Sequence, residues 1–384
     1  MPRIYFDHAA TTPVHPAVVA AMEPCFGEQF GNASSGHKLG REARGAVDHA
    51  RQQVARLLGA QFDEIVFTSG GTEADNIALI GVALKHRERG RHLVITRIEH
   101  HAVLHSARFL ESQGFEVTCV PVDHQCRVAP DEVARALRDD TVLVSVMLAN
   151  NEVGALQPIA EIAELTSARG VPLHTDAVQA TGAIPVDVNE LGVDLLSLAA
   201  HKFYGPKGVG ALFIRRGVQM IPWMYGGEQE RGRRSGTENV PGIVGLGAAC
   251  EVAQCERDEA AKRIRALRDR LESGLLAQID GASVNGAEVP RLPGHCNICL
   301  PGAGNEALSM NLDLAGIAVS TGSACASGAI EPSHVLVAMG RPRDEALASV
   351  RFSLGRWTTE AEVARVVEAV VEIASRLRRM STRP

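Results

Sequence analysis

The chain predicts an α/β protein with a mostly parallel central sheet and a smaller α+β domain behind it. Three observations carry this. Short, wholly apolar runs recur through the first two-thirds of the 384 residues, and runs without polar alternation mark strands buried on both faces, as in parallel sheets. Amphipathic stretches of helical period separate most of these runs. After Pro241 the pattern changes to one long helical tract and then to short strands and further helical stretches.

The elements follow in order. The first fifteen or so residues, with Thr11, Thr12 and Pro13, are too irregular for the central sheet, so residues 1–15 are expected to pack with the smaller domain. Buried strands are expected at Ile65-Val66-Phe67, Leu93-Val94-Ile95, Val142 to Val146, Val171 to His174 and Leu195 to Leu198. Helical patterns fill Glu73 to Arg89 and Ile159 to Arg169. The long tract runs through Cys255 to Leu275 and places a domain boundary near residue 255. The expected division is 16–255 for the large domain and 256–384 for the small one.

The composition excludes several classes. A hydrophobic share of 45% is enough for substantial cores. A formal charge of −6 leaves only short basic clusters at 231–234 and 376–379, so direct nucleic-acid binding is not expected. No basic-then-apolar leader and no run of about 18 apolar residues appear, and the expectation is a cytoplasmic protein without membrane contact. Eight scattered cysteines read as reduced thiols. Cys296 and Cys299 have metal spacing, but their segment reads as a strand, where residues three apart face opposite sides; no metal site is expected.

Chemistry gathers at three points. In Ile65 to Glu73 a strand runs through Gly70-Gly71 into a helix start, where free N–H groups and the Thr72 hydroxyl can converge on an anion, phosphate above all. The strand before Asp176 places that carboxylate and Gln179 at the carboxyl edge of the sheet. Lys202 follows the next strand. Singly these read equally as a capped turn, a helix cap and a surface cation; together they meet what pyridoxal phosphate asks of a protein, an aspartate for its ring nitrogen and an imine-forming lysine. His100 follows a strand by a short turn and could lie over a planar cofactor. His101 and His105, spaced i, i+4, offer a metal alternative that lacks an acidic partner. Arg351 lies on an apolar strand, where a cation calls for an anion: a substrate carboxylate, or an internal salt bridge.

These residues, with Tyr5 to Pro13, Phe30 to His37, Asn150 to Gly154, Arg234 to Thr237 and Gly322 to Cys325, resemble the group I cysteine desulfurases of the NifS/IscS type, fold-type I pyridoxal-phosphate enzymes, over nearly the whole chain. The resemblance implies that Lys202 holds the cofactor, Asp176 pairs with its ring nitrogen, Asn151 and Gln179 position the ring-hydroxyl side and His100 stacks on the ring. It implies that Gly71, Thr72 and His201 hold the phosphate, with Thr237 reaching across from a second subunit of a homodimer. Arg351, helped by Asn32, would bind the substrate carboxylate, and Cys325 would take sulfur from L-cysteine as a persulfide for an acceptor protein such as an iron-sulfur scaffold. Two positions depart from the family: Ala199 replaces a phosphate-binding serine and Ala33 a proline. The alternatives on the same fold are a selenocysteine lyase, an aminotransferase, or a sulfur donor dedicated to tRNA or DNA thiolation.

Overall fold

The computed structural model describes residues 3–321 and 331–381. Its first half carries β1 (Ile4–Tyr5), α1 (Pro16–Met22), α2 (Lys38–Leu58), β2 (Ile65–Thr68), α3 (Gly71–His86), β3 (His92–Thr96), α4 (His101–Ser112), β4 (Glu116–Val120), α5 (Pro130–Ala136), β5 (Thr141–Ser145) and α6 (Ile159–Ala168). Then come β6 (Leu173–Asp176), α7 (Val188–Leu191), β7 (Leu195–Ala199), β8 (Gly210–Ile214) and α8 (Val240–Gln278). The remainder holds β9 (Ser283–Val284), β10 (His295–Cys299), α9 (Asn305–Leu314), β11 (Ile317–Ala318), α10 (His334–Ala338), α11 (Arg343–Ala346), β12 (Ser349–Ser353) and α12 (Glu360–Ser381).

Seven strands form the central sheet in the order β2-β8-β7-β6-β5-β3-β4. The pairs from β7 through β4 are all parallel, whereas β8 is antiparallel to both β7 and β2. Two reversals restore the direction of β2, so its carboxyl end lies on the same edge as that of β7. Thr68, Gly210 and Ala199 stand side by side there. Gly210 is required: a Cβ would fall 2.5 Å from the Leu198 carbonyl oxygen and 2.8 Å from the Gly70 Cα. Strands β2, β3, β5, β6, β7 and β8 are buried along their whole length, which explains the apolar runs in most of them; the polar residues of β6, His174, Thr175 and Asp176, are buried as well.

A second core lies under the antiparallel sheet β12-β10-β9. Phe6, Leu267, Leu271, Leu275, Ile298, Phe352 and Val370 belong to it. Helix α8 serves both cores: Ile243, Leu246 and Ala249 pack into the first, and Leu267, Leu271 and Leu275 into the second. Residue 255 therefore lies inside an unbroken helix of 39 residues. The N-terminal segment also belongs to both regions. Strand β1 pairs with β11 and Phe6 enters the second core, while Thr12 is bonded to the turn after β7.

Candidate active site

The carboxyl ends of five strands deliver their following residues to one cleft of about 590 Å³. Gly71, Thr72 and Asp75 come from the start of α3 after β2, His100 from the turn after β3, Met147, Ala149 and Asn151 from the segment after β5, Asp176 and Gln179 from β6, and Ala199, His201 and Lys202 from β7. This edge is where open α/β sheets bind ligands. A second cavity of about 630 Å³ opens on the other side of Lys202, but no acidic side chain lines it.

The N-terminal strand straps the lysine turn in place. Lys202 Nζ donates to the carbonyls of Ala9 at 2.6 Å and Ala10 at 3.0 Å, and Gln179 Nε2 donates to Ala9 O at 2.9 Å. The Thr12 hydroxyl donates to His201 O at 2.9 Å and accepts Tyr204 N at 2.8 Å. Thr11 Oγ1 meets His201 Nδ1 at 3.1 Å. Four successive residues of the segment after β1, Ala9 to Thr12, thus orient the two side chains that the turn after β7 contributes.

Burial sets the charge states. The Asp176 carboxyl is held above the usual carboxylate range by burial, against the Val178 N–H that it accepts at 2.9 Å and the positive charge of Lys202. Asp75, fully buried beside it, is raised well above that range by burial and by the Asp176 charge, so this pair carries at most one charge near neutrality. Lys202 is lowered to about 8, chiefly by burial and then by Arg351. His100 and His201 are lowered to about 4 by burial and by the Lys202 charge. His100 Nδ1 accepts Ala102 N at 3.1 Å as the cap of α4, so its proton sits on Nε2.

Pyridoxal phosphate fits these residues. A buried aspartate with one backbone bond and no side-chain ion pair within the described residues suits a cationic ring nitrogen. The first turn of α3 leaves its N–H groups for an anion, and its acid, Glu73, is turned away to Arg234 at 2.7 Å. Gly71 keeps the floor open, since a Cβ there would fall 2.5 Å from Val178 Cγ2. At Ala199 no hydroxyl is present. Among the described residues, Asp75, His100 and Asp176 are the group of three His, Cys, Asp or Glu side chains whose ligand atoms lie within 4.8 Å of one another, but the cofactor reading already uses two of them, His100 and Asp176.

Arg351 sits on β12, 6% exposed. Its Nη2 pairs with Asp7 at 2.7 Å and its Nη1 donates to the Asn151 carbonyl at 2.9 Å, while Nε has no partner among the described residues. The internal salt bridge is therefore present, and the second bond ties Arg351 to the cleft through Asn151. Asn32 and Thr237 are exposed and do not line the cleft. Asn32 Oδ1 instead accepts Ser34 N at 2.8 Å. Cys325 lies outside the described residues. Sequence reasoning missed Asp7, Asp75 and the Ala9 and Ala10 carbonyls; an acid directly after the apolar Tyr5-Phe6 pair is the one signal that pointed to any of them.

The aminotransferase class-V family matches residues 4–366. Cysteine desulfurase IscS of Methanosarcina thermophila is 51% identical over 378 residues, spanning 98% of this chain and 93% of that protein. Among solved structures, a NifS-like protein superposes with a TM-score of 0.91 at 41% identity, over 97% of this chain and 99% of that one. A structure described as SspA in complex with cysteine gives 0.81 at 35% identity, over 93% and 100%.

Proposed function

We propose a division of labour among the residues of this chain, which belongs to the aminotransferase class-V family and is a pyridoxal-phosphate-dependent cysteine desulfurase of the NifS/IscS type. Lys202 carries the cofactor covalently, Asp176 faces its ring nitrogen, Asn151 and Gln179 hold the ring-hydroxyl side and His100 lies against the ring. Gly71, Thr72 and His201 hold the phosphate. When bound, the cofactor supplies the electron sink that lets a proton leave Cα of the amino acid. Lys202 removes and returns that proton, a task suited to an amine held at about 8. Arg351, with Asn32, receives the substrate carboxylate, its planar fork exchanging Asp7 for the ligand.

Cys325 takes the sulfur. The substrate carbon–sulfur bond breaks, a sulfur–sulfur bond forms on the enzyme, and the remaining three-carbon fragment leaves as L-alanine. The persulfide is then passed to an acceptor protein, with iron-sulfur scaffolds as the expected class. The chain works as a homodimer in which Thr237 of one protomer completes the phosphate site of its partner. Support for this comes from the exposure of Thr237 and of Tyr225, the latter 76% exposed on the same stretch of chain. The two cores meeting along α8 support a large domain of 16–255 and a small one of 256–384. The unpaired state of all seven described cysteines accords with a cytoplasmic setting.

The observation that carries the reading is the convergence of Lys202, Asp176 and the first turn of α3 in one cleft. The test is chemical trapping. Protein given L-cysteine and then alkylated should carry one extra sulfur on Cys325, and Cys325→Ala should keep the visible absorbance of the cofactor while losing alanine formation by about 100-fold or more. Undiminished sulfur release by Cys325→Ala would turn the reading toward a selenocysteine lyase or an aminotransferase.

A further inference from the structure

Helix α4 begins at His101, directly after the His100 cap, and presents His105 one turn later. The two rings lie 5.2 Å apart between centroids. A third histidine arrives from a distant part of the chain. His334 opens α10, and its ring centre is 4.9 Å from that of His101. The cofactor reading uses none of the three.

The third ring is already oriented. His334 Nε2 lies 3.1 Å from the Glu99 carbonyl oxygen; a carbonyl only accepts, so Nε2 carries the hydrogen and the lone pair is on Nδ1. An imidazole donating through one nitrogen to a backbone carbonyl and offering the other is the usual arrangement of a metal-ligating histidine. The Glu99 backbone that supplies this carbonyl is anchored, because its side chain is fully buried and bonded to Thr96 Oγ1 at 2.6 Å and Met147 N at 3.0 Å.

The other two rings are free to turn. His101 and His105 are both exposed and border an open groove that also contains Thr72, Phe109 and Trp223. No hydrogen bond to a described residue holds either ring. Side chains at i and i+4 on a helix are neighbours, and this spacing is the one with which helices present two imidazoles to one ion. Metal–nitrogen distances of about 2.0–2.1 Å require the three donor atoms to draw closer than the rings stand here. Convergence of the three donors requires new rotamers for the exposed His101 and His105 side chains, neither of which a hydrogen bond to a described residue holds in place.

We propose that His101, His105 and His334 form a binding site for a late first-row divalent metal ion, held by three imidazoles with water completing its shell. Imidazole sets of this kind suit nickel, copper and zinc. The site lies beside the cofactor cleft, and its occupation would tie the start of α4, and with it the His100 cap, to α10.

Nickel is the appropriate probe, because it competes less than zinc for the thiols. Nickel chloride titrated calorimetrically into the holoenzyme, without thiol reagents or cysteine, should show a single saturable class of sites and raise the melting temperature by mass action. His101→Ala, His105→Ala and His334→Gln should each weaken binding by about tenfold or more, since even loss of a ligand's supporting partner costs that much. Each variant should retain the absorbance of bound cofactor, which reports that it is folded. Absence of saturable binding overturns the proposal, as does binding that survives in His105→Ala. Wild-type affinity in His334→Gln also overturns it, leaving only a surface pair on one helix.

Discussion

Arg351 shows how much one buried cation asks of its neighbours. Its guanidinium is closed off from solvent, yet among the described residues only one carboxylate, Asp7, reaches it, and its Nε has no hydrogen-bond partner there. A buried arginine whose donors are not all satisfied is costly unless a further anion arrives. The proposed substrate carboxylate would meet that need, with Asp7 holding the fork in its absence. Arg351→Lys keeps the charge but loses the planar fork. We expect KM for L-cysteine to rise about tenfold or more with a smaller change in kcat, read from steady-state alanine formation. An unchanged KM would mean that the guanidinium serves Asp7 alone. The strand and the buried cation were both legible in the sequence; Asp7 was not, because 344 residues separate the partners.

At the scale of the element, the start of α3 supplies the anion site of the proposed function. The helix begins where β2 ends, and its first residue packs directly on Val178, two positions after Asp176. In the proposed arrangement, the phosphate end and the ring-nitrogen end of the cofactor site would thus be coupled through one side-chain contact. Gly71→Ala forces a methyl group to within 2.5 Å of Val178 Cγ2. Overpacking of this kind costs about 1–3 kcal/mol, so cofactor affinity should fall by about 5- to 150-fold in a fluorescence titration. Val178→Ala added to Gly71→Ala should restore most of it; no recovery would place the loss in the helix rather than in the contact. The glycine pair announced a turn in the sequence, but the residue that makes the second glycine necessary, Val178, is contributed by the turn after β6.

For the whole molecule, burial of titratable groups predicts how stability depends on pH. His174 and His295 are lowered to about 3 from 6.5, chiefly by burial. The unfolded chain therefore binds more protons below about 6.5, and the stability of the fold is lost as pH falls from there toward 3. Glu99 and Glu152 are raised from 4.5 to about 8 and about 7, also by burial. Their contribution is full below about 4.5 and is lost as pH rises through 7 and 8. The two sets oppose each other between about pH 4.5 and 6.5, so the apoenzyme should be most stable in that window and weaken on both sides. Urea midpoints across pH 4 to 9 check this; a midpoint still rising from 6.5 to 8 would contradict it. Glu99 also shows why such groups stay buried. Its carboxyl accepts from Thr96 and Met147 and so anchors the backbone that presents His100.

The sequence by itself determined which stretches are buried strands, because burial is written locally in period and composition, and it singled out Lys202, Asp176 and Gly71-Thr72, which the structure brings to one cleft. It also carried the motifs that mark the desulfurase family. Only the tertiary structure decided strand direction and partnership. Gly210 to Ile214 is an apolar run like its neighbours, and nothing local says that it runs against β7 and β2. The same holds for the Ala9 and Ala10 carbonyls on Lys202, for Asp75 beside Asp176 and for His334 against His101. Each joins segments far apart in the chain, and such pairings are selected by the packing of the whole core rather than by any periodicity a short window can hold.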